Sequence, residues 1–173
     1  MPKSNVIKKD TFHYLWSKSH QPVLNIKPGD RVHFEVNEVY TGQLSSRSKT
    51  EDLAKLDESK LYPLAGPVYI EGAEPGDALV VRVEDVRPAE WGWTAVVPGL
   101  GLLEEDFSSP ELYIWKLPRS NRKFARFVKQ IQVPLNPFCG VLGGRSSRER
   151  VLPSHATWET RWEYGHPASH GGG

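Results

Sequence analysis

A carboxylate at position 38 is the side chain in this sequence whose placement most favours chemistry. It follows Val32, Phe34 and Val36, which are spaced by two residues as on a half-buried strand. If that period continues, Glu38 falls on the apolar face. A carboxylate there needs a metal, a cation or several hydrogen-bond donors, because burying an unpaired charge is costly. We therefore expect Glu38 to act in catalysis and as a metal ligand; in the alternative, the strand ends earlier and Glu38 is solvated.

Three more residues of the same stretch could contact a small substrate. Gly42 allows another molecule to approach the backbone closely, and the carboxamide of Gln43 can donate a hydrogen bond to a substrate carbonyl. We expect Gln43 to be catalytic by orienting the substrate, and Tyr40 and Gly42 to bind it. An ordinary turn before a helix would use the same residue types.

Histidines gather near the end of the sequence, at positions 155, 166 and 170. Imidazole is a frequent metal ligand and a natural base near neutral pH. The sequence predicts that His155 and His170 join Glu38 around a divalent metal. Pro167 and the final glycines oppose a helix that would bring His166 and His170 together, so the alternative is a solvated tail.

Other chemistries have less support in the sequence. Cys139 lies between a phenylalanine and a glycine, as a small buried side chain often does. Residues 116–150 are rich in lysine and arginine with interleaved aromatic residues, which would suit single-stranded nucleic acid. An acidic stretch lies just upstream, and the formal charge of the 173-residue chain is only +1. We therefore predict no nucleic-acid partner.

Short strands separated by turns must position these groups. Pro-Gly-Asp turns precede two alternating stretches, one at Val32–Val36 and one from Leu79 to Val83, and a third alternating stretch runs from Lys129 to Leu135. Pro134 indicates limited strand pairing there, as at a sheet edge or strand end. Residues 48–59 predict the one short helix, capped by Ser48 or Thr50.

These elements predict a mainly β fold, a sandwich or barrel of the jelly-roll type. We expect a single domain over residues 1–173, with a leader at 1–20 and a flexible Gly/His-rich tail at 154–173. The sequence contains no apolar run of membrane-spanning length and no apolar core of a signal peptide near its start, so we expect a cytoplasmic protein without a membrane partner.

Four stretches together resemble the acetamidase/formamidase family of linear-amide hydrolases. They are "PGDRVHFEVNEVYTGQL", "YPLAGPVYIEGAEPGDALVVRVEDV", "GWTAVVPGLGLLEEDF" and "VPLNPFCGVLGG". The second is the most specific, because it is similar to the Gly-Pro and Gly-Ala-x-Pro-Gly-Asp segment of the family. Their order and spacing match from about residue 20 to the end of the sequence. The resemblance covers about the first half of a typical member, so we expect the fold to be incomplete without a second half.

The resemblance implies hydrolysis of a small linear amide, such as formamide or acetamide, to a carboxylate and ammonia. The family usually carries aspartate where this sequence has Glu38. Because the sequence shows no Gly-x-Ser-x-Gly elbow and no convincing Cys/His nucleophile, its histidines and carboxylates favour water activated by a divalent metal, with zinc as our expectation.

The same residues are also compatible with a different function. The chain could be a non-catalytic β-sandwich module that binds or pairs with another subunit. An incomplete sandwich exposes strand edges and apolar surface. We therefore expect either a homo-oligomer or association with a complementing C-terminal half.

Overall fold

Short β-strands make up most of the regular structure of this chain. The computed structural model describes residues 5–103, 105–119, 123–144 and the backbone of 152–153. The strands are β1 (Asn5–Ile7), β2 (Phe12–His13), β3 (Leu15–Trp16), β4 (Leu24–Ile26), β5 (Val32–Phe34), β6 (Leu64–Ala65), β7 (Val68–Ile70), β8 (Trp91–Val96), β9 (Glu111–Lys116), β10 (Phe124–Arg126), β11 (Gln132–Pro134) and β12 (Leu152–Pro153). The prediction of a mainly β fold is confirmed.

The strands pair two by two within the described residues. β1 with β5 and β4 with β7 are parallel, while β2–β6, β3–β12, β8–β9 and β10–β11 are antiparallel. Helical structure is confined there to two 3₁₀ segments, Thr50–Lys55 and Glu58–Lys60. No helix in this part of the chain has the length and apolar character needed to cross a membrane.

The chain divides into two compact units. The first consists of Met1–Thr41, Glu58–Val81 and Cys139–Gly173, and the second of Gly42–Asp57 and Arg82–Phe138. The predicted leader, where the structure describes it, carries β1 to β3. The predicted flexible tail at 154–173 lies outside the described residues.

In the first unit, β5 runs parallel to β1, and the buried Ile7 contributes to its core. The expected continuation of β5 toward residue 38 is wrong, because the strand ends at Phe34. Phe34 and Val36 are 43% and 69% exposed, so the apolar face is not covered as predicted. β1 ends at Ile7, and a turn from Lys8 to Thr11 follows it. The last bond of this ladder is the one that the Glu35 amide donates to the Ile7 carbonyl over 2.9 Å.

The two Pro-Gly-Asp turns have the same geometry. The amide of Asp30 donates to the carbonyl of Lys27 over 3.0 Å, and the Asp30 carboxylate accepts the amide of Lys27 over 2.9 Å. Glu74 and Asp77 form the equivalent pair at 3.1 and 2.8 Å. The glycine of each turn has a positive φ, 90° at Gly29, which glycine adopts without steric cost. Both predicted turns are confirmed.

The strand predicted after the second turn is absent. Residues 78–88 belong to no strand, and Leu79, Val81 and Val83 are between 38% and 48% exposed. An alternating pattern forms a strand only where a second strand pairs with it. None of the described residues does so here.

A long hairpin, β8–β9, forms the larger pairing of the second unit, with Trp91 opposite Lys116 and Val96 opposite Glu111. Tyr113 and Trp115 on β9 pack edge-to-face, and both contact Phe127, which follows β10. Buried Ala125 lies on β10. The strand predicted at 129–135 is confirmed over Gln132–Pro134, where Pro134 is the last residue.

The predicted helix at 48–59 is present as 3₁₀ turns. Its cap is Lys49, so the expectation of Ser48 or Thr50 is wrong. The Asp52 carboxylate accepts the Lys49 amide over 3.0 Å. The hydroxyl of Thr50 instead accepts the amide of Leu112 on β9 over 3.3 Å, which ties the helical segment to the hairpin.

Candidate functional site

Glu38 opens a tight turn after β5. The amide of Thr41 donates to the Glu38 carbonyl over 3.0 Å, and one carboxylate oxygen of Glu38, Oε2, accepts the amide of Tyr40 over 3.0 Å. Glu38 is half-buried. The carboxylate is therefore oriented by its own turn, although the strand that was expected to carry it has ended.

Thr41 closes this turn in a left-handed conformation, with a φ of 57°. That region is unfavourable for a β-branched residue. The side chain has two hydrogen bonds: the phenol of Tyr14 donates to Thr41 Oγ1 over 2.9 Å, and Oγ1 donates to the carbonyl of Lys60 over 3.2 Å. Backbone conformations of this kind cluster at functional sites, where the surrounding contacts hold them in place.

A second contact holds the middle of the turn. The amide of Tyr62 donates to the carbonyl of Val39 over 2.8 Å, and Tyr62 itself has a φ of 54°. The turn that begins at Glu38 is thus attached to the rest of the first unit through both Val39 and Thr41.

Tyr40, in the same turn, stays a neutral phenol well above neutral pH. Partial burial raises its pKa above the ordinary value of 10.0, and the nearby Glu58, Tyr62 and Glu38 raise it further. A half-buried phenol that keeps its proton can donate a hydrogen bond to a carbonyl oxygen. The structure therefore brings together Glu38 and Tyr40 of the predicted site residues.

Gly42 and Gln43 begin the second unit. Gly42 has a φ of 83°, and a Cβ added there would meet no atom within 4 Å. Glycine is thus needed for its backbone conformation, while the expected approach of a substrate stays a prediction. The carboxamide of Gln43 pairs with Asp57, donating to its carbonyl over 3.1 Å and accepting its amide over 2.7 Å. Its predicted role toward substrate also stays a prediction.

Two of the three predicted metal ligands lie outside the residues that the structure describes. His155 and His170 lie there, as does His166. Among the residues that the structure describes, no group of three or more His, Cys, Asp or Glu side chains could hold a metal ion. Glu38 is the single predicted ligand in that part. The described residues therefore do not form a metal centre by themselves.

Tyr14, Thr41 and Tyr62 were not predicted from the sequence. A positive φ at a threonine or tyrosine has no residue signature comparable to that of glycine. Tyr14 is separated from Thr41 by 27 positions, so no local spacing joins them.

Comparison with known proteins places this mainly β chain among amide-hydrolase relatives. The sequence profile of the Acetamidase/Formamidase family matches residues 2–163. The chain belongs to that family.

Individual relatives agree with this assignment. The chain is 30% identical to a formamidase of Methylophilus methylotrophus over 109 residues, which are 60% of this chain and 27% of the relative. It is 28% identical to an acetamidase of Mycolicibacterium smegmatis over 116 residues, 60% of this chain and 29% of the relative. A crystal structure of an acetamidase from Bacillus halodurans superimposes with a TM-score of 0.77 and 25% identity, covering 86% of this chain and 48% of that one. The chain thus spans less than a third of these curated relatives and about half of the solved acetamidase.

Proposed function

We propose that this chain takes part in the hydrolysis of the carbon–nitrogen bond of small linear amides, of the formamide and acetamide type. The observation that supports this most directly is the family match over residues 2–163. The relatives are a formamidase and acetamidases. The products would be a carboxylate and ammonia.

Amide hydrolysis sets three demands on a site. The carbonyl is stabilised by resonance and the amine is a poor leaving group, so the reaction needs an activated water, a donor for the carbonyl oxygen and a proton for the departing nitrogen. In our proposal the Glu38 carboxylate accepts a proton as water adds to the carbonyl carbon. That proton then passes to the nitrogen as the C–N bond breaks.

The neighbouring residues have supporting roles in the proposal. The amide of Tyr40 holds Oε2 of Glu38, which fixes the direction in which the carboxylate accepts a proton. The protonated phenol of Tyr40 donates to the substrate. Gln43 has a second N–H on its carboxamide and orients the substrate, and Gly42 leaves its surroundings open.

As an alternative to its role as a base, we propose that Glu38 is a ligand, with His155 and His170, of a divalent metal, zinc in our expectation. Bound there, such an ion would supply Lewis-acid chemistry by lowering the pKa of a bound water to roughly 7. Elemental analysis of the purified chain tests this directly. We expect zinc in the wild type and its loss in a His155→Ala, His170→Ala variant; full amide turnover by metal-stripped protein would contradict it.

The catalytic proposal is tested by ammonia release from formamide and acetamide. Since the chain covers 48% of the solved acetamidase, the assay is run on the chain alone and on the chain mixed with a polypeptide equivalent to the remaining part of that acetamidase. We expect activity in the mixture. Glu38→Gln should lower kcat about 10²–10⁴-fold, as for loss of a general base.

Glu35→Gln is the matched control. Glu35 lies three positions before Glu38 and pairs with Lys8 at the surface, at 2.7 Å. We expect the ammonia release of the Glu35→Gln variant to equal that of the wild type. Equal losses in the two variants would contradict the role of Glu38.

An exposed apolar loop supports a second candidate, a non-catalytic module that pairs with another subunit. Between β8 and β9, Leu100, Leu102, Leu103 and Phe107 are 71%, 102%, 59% and 52% exposed. Apolar groups clustered at a surface favour association. Absence of ammonia in both assays, together with a mass in solution above one chain, would favour this candidate.

A further inference from the structure

We infer that Tyr14 and Thr41 are positioning residues that set the direction of the Glu38 carboxylate. The inference rests on the proposed role of Glu38 in amide hydrolysis. It is carried by the hydrogen bonds that join Tyr14, Thr41 and the Lys60 carbonyl at 2.9 and 3.2 Å.

Thr41 is bound to the Glu38 turn and to the body of the first unit at once. Its amide closes the turn on the Glu38 carbonyl, while its hydroxyl reaches Tyr14 and Lys60. The hydroxyl accepts from one partner and donates to the other, so both of its hydrogen-bonding functions are used.

The left-handed backbone at Thr41 strengthens this conclusion. A β-branched residue with a φ of 57° is sterically disfavoured. Such a conformation persists where surrounding contacts determine it. The two hydroxyl bonds supply contacts of that kind, and a hydrophobic residue of equal shape would lack them.

A second attachment holds the turn at Val39. The amide of Tyr62 donates to the Val39 carbonyl over 2.8 Å. That bond holds the middle of the turn, whereas Thr41 holds its end. When the Thr41 hydroxyl is removed, the end of the turn loses its bonds to Tyr14 and Lys60, and we expect the bond between the Tyr40 amide and the Glu38 carboxylate to weaken.

Hydrogen exchange of single amides, followed by NMR on the full chain, tests this without any assay of catalysis. Thr41→Val keeps the shape and removes the hydroxyl, and Tyr14→Phe removes its donor. In both variants we expect exchange of the Tyr40 amide to accelerate about tenfold through local opening. Thr41→Ser, which restores the hydroxyl, should return exchange to the wild-type rate.

The Asp30 amide is the internal control, because it closes a separate turn in the same unit. Its exchange should not change. Equal acceleration at Asp30 and Tyr40 would mean general destabilisation and would overturn the inference, as would an unchanged Tyr40 rate in Thr41→Val.

The ammonia assay tests whether the Thr41 hydroxyl also affects catalysis. In the active mixture, Thr41→Val should lower kcat about tenfold with little change in KM, the pattern of a group that acts on the transition state, and Thr41→Ser should restore it. An unchanged kcat in Thr41→Val would overturn the inference. If the wild type releases no ammonia, the proposed function fails, while the exchange rates still decide whether Tyr14 and Thr41 hold the Glu38 turn.

Discussion

The side chain of Gln43 and the backbone of Asp57 pair in both directions. The carboxamide donates to the Asp57 carbonyl over 3.1 Å and accepts the Asp57 amide over 2.7 Å, across 14 positions of sequence. The pair closes the segment that contains the 3₁₀ helix Thr50–Lys55. Gln43 thus has a structural role in addition to the one predicted for it toward substrate.

Gln43→Ala should lower the free energy of unfolding by about 1–3 kcal/mol, because each of the two lost hydrogen bonds contributes about 0.5–1.5 kcal/mol. The free energy of unfolding of Gln43→Glu should lie between those of the wild type and Gln43→Ala, because glutamate keeps the hydrogen-bond acceptor and loses the donor. Urea unfolding measures both. Gln130→Ala, in an exposed turn, is the control and should leave the midpoint unchanged; an equal shift there would contradict the structural role of Gln43.

Asp52 is expected to stabilise the 3₁₀ helix in a pH-dependent way. The Lys49 amide, and then Lys55, lower the pKa of its carboxyl below the ordinary 3.8. A folded pKa below the unfolded one gives stability that is present above pH 3.8 and is lost as the pH falls through the folded pKa. Asp52→Asn should therefore lower the thermal midpoint at neutral pH but not in strong acid.

Glu51→Gln is the matched control for Asp52, since both acids lie in the first turn of the helix. The thermal midpoint of this variant should change little with pH relative to the wild type. A pH-independent loss of stability in Asp52→Asn would show that the charge of Asp52 is not the cause.

Local turn chemistry was predictable from the sequence, and strand pairing was not. Both Pro-Gly-Asp turns form as their residues predict, because glycine and aspartate determine the geometry within four positions. The alternating residues from Leu79 to Val83 form no strand. Alternation shows which faces a strand would have, but the partner comes from elsewhere in the chain.

The candidate site was predictable to a similar extent. The two-residue spacing of Val32, Phe34 and Val36 directed attention to Glu38, although the strand that was expected to carry it ends four positions earlier. The contacts of Thr41 with Tyr14 and Lys60 span 27 and 19 positions. Bonds of that range depend on how the chain folds back, which a single sequence does not encode in local spacing.

His13 should make the first unit less stable in mild acid. Burial lowers its pKa below the ordinary 6.5, and the neighbouring His20 lowers it further, while a backbone hydrogen bond at Leu15 offsets part of this effect. The rings of His13 and His20 stack at 4.4 Å. Because the unfolded chain takes up the proton first, stability should fall as the pH drops below 6.5 toward the folded pKa.

His13→Phe tests this expectation. It keeps an aromatic ring beside His20 and removes the titrating group, so the loss of stability between neutral pH and pH 5, measured by thermal unfolding, should become smaller. His33→Phe, at an exposed position, should keep the wild-type pH profile. A profile that is the same in all three proteins would contradict the prediction.

The pKa of Tyr40 depends on the charged groups around it in the candidate site. Burial raises its pKa above 10.0, and Glu58, Tyr62 and Glu38 add to the effect in that order. Alkaline titration of phenolate absorbance, with Tyr40→Phe subtracted, isolates this group. Glu58→Gln should shift the Tyr40 midpoint downward, and Glu38→Gln should do so by less, because removing a nearby negative charge makes the phenolate less unfavourable.

The raised pKa of Tyr40 also affects the stability of the protein at high pH. A tyrosine whose folded pKa is raised loses its proton first in the unfolded chain, so stability should decline as the pH rises above 10.0 toward the folded pKa. Tyr40→Phe should remove that part of the decline. Glu71→Gln, an exposed acid of the same unit, should leave the Tyr40 midpoint unchanged. An equal shift of the Tyr40 midpoint in Glu71→Gln and Glu38→Gln would contradict the prediction. It would mean that the pKa of Tyr40 depends on the overall charge of the protein and not on the nearby Glu38 carboxylate.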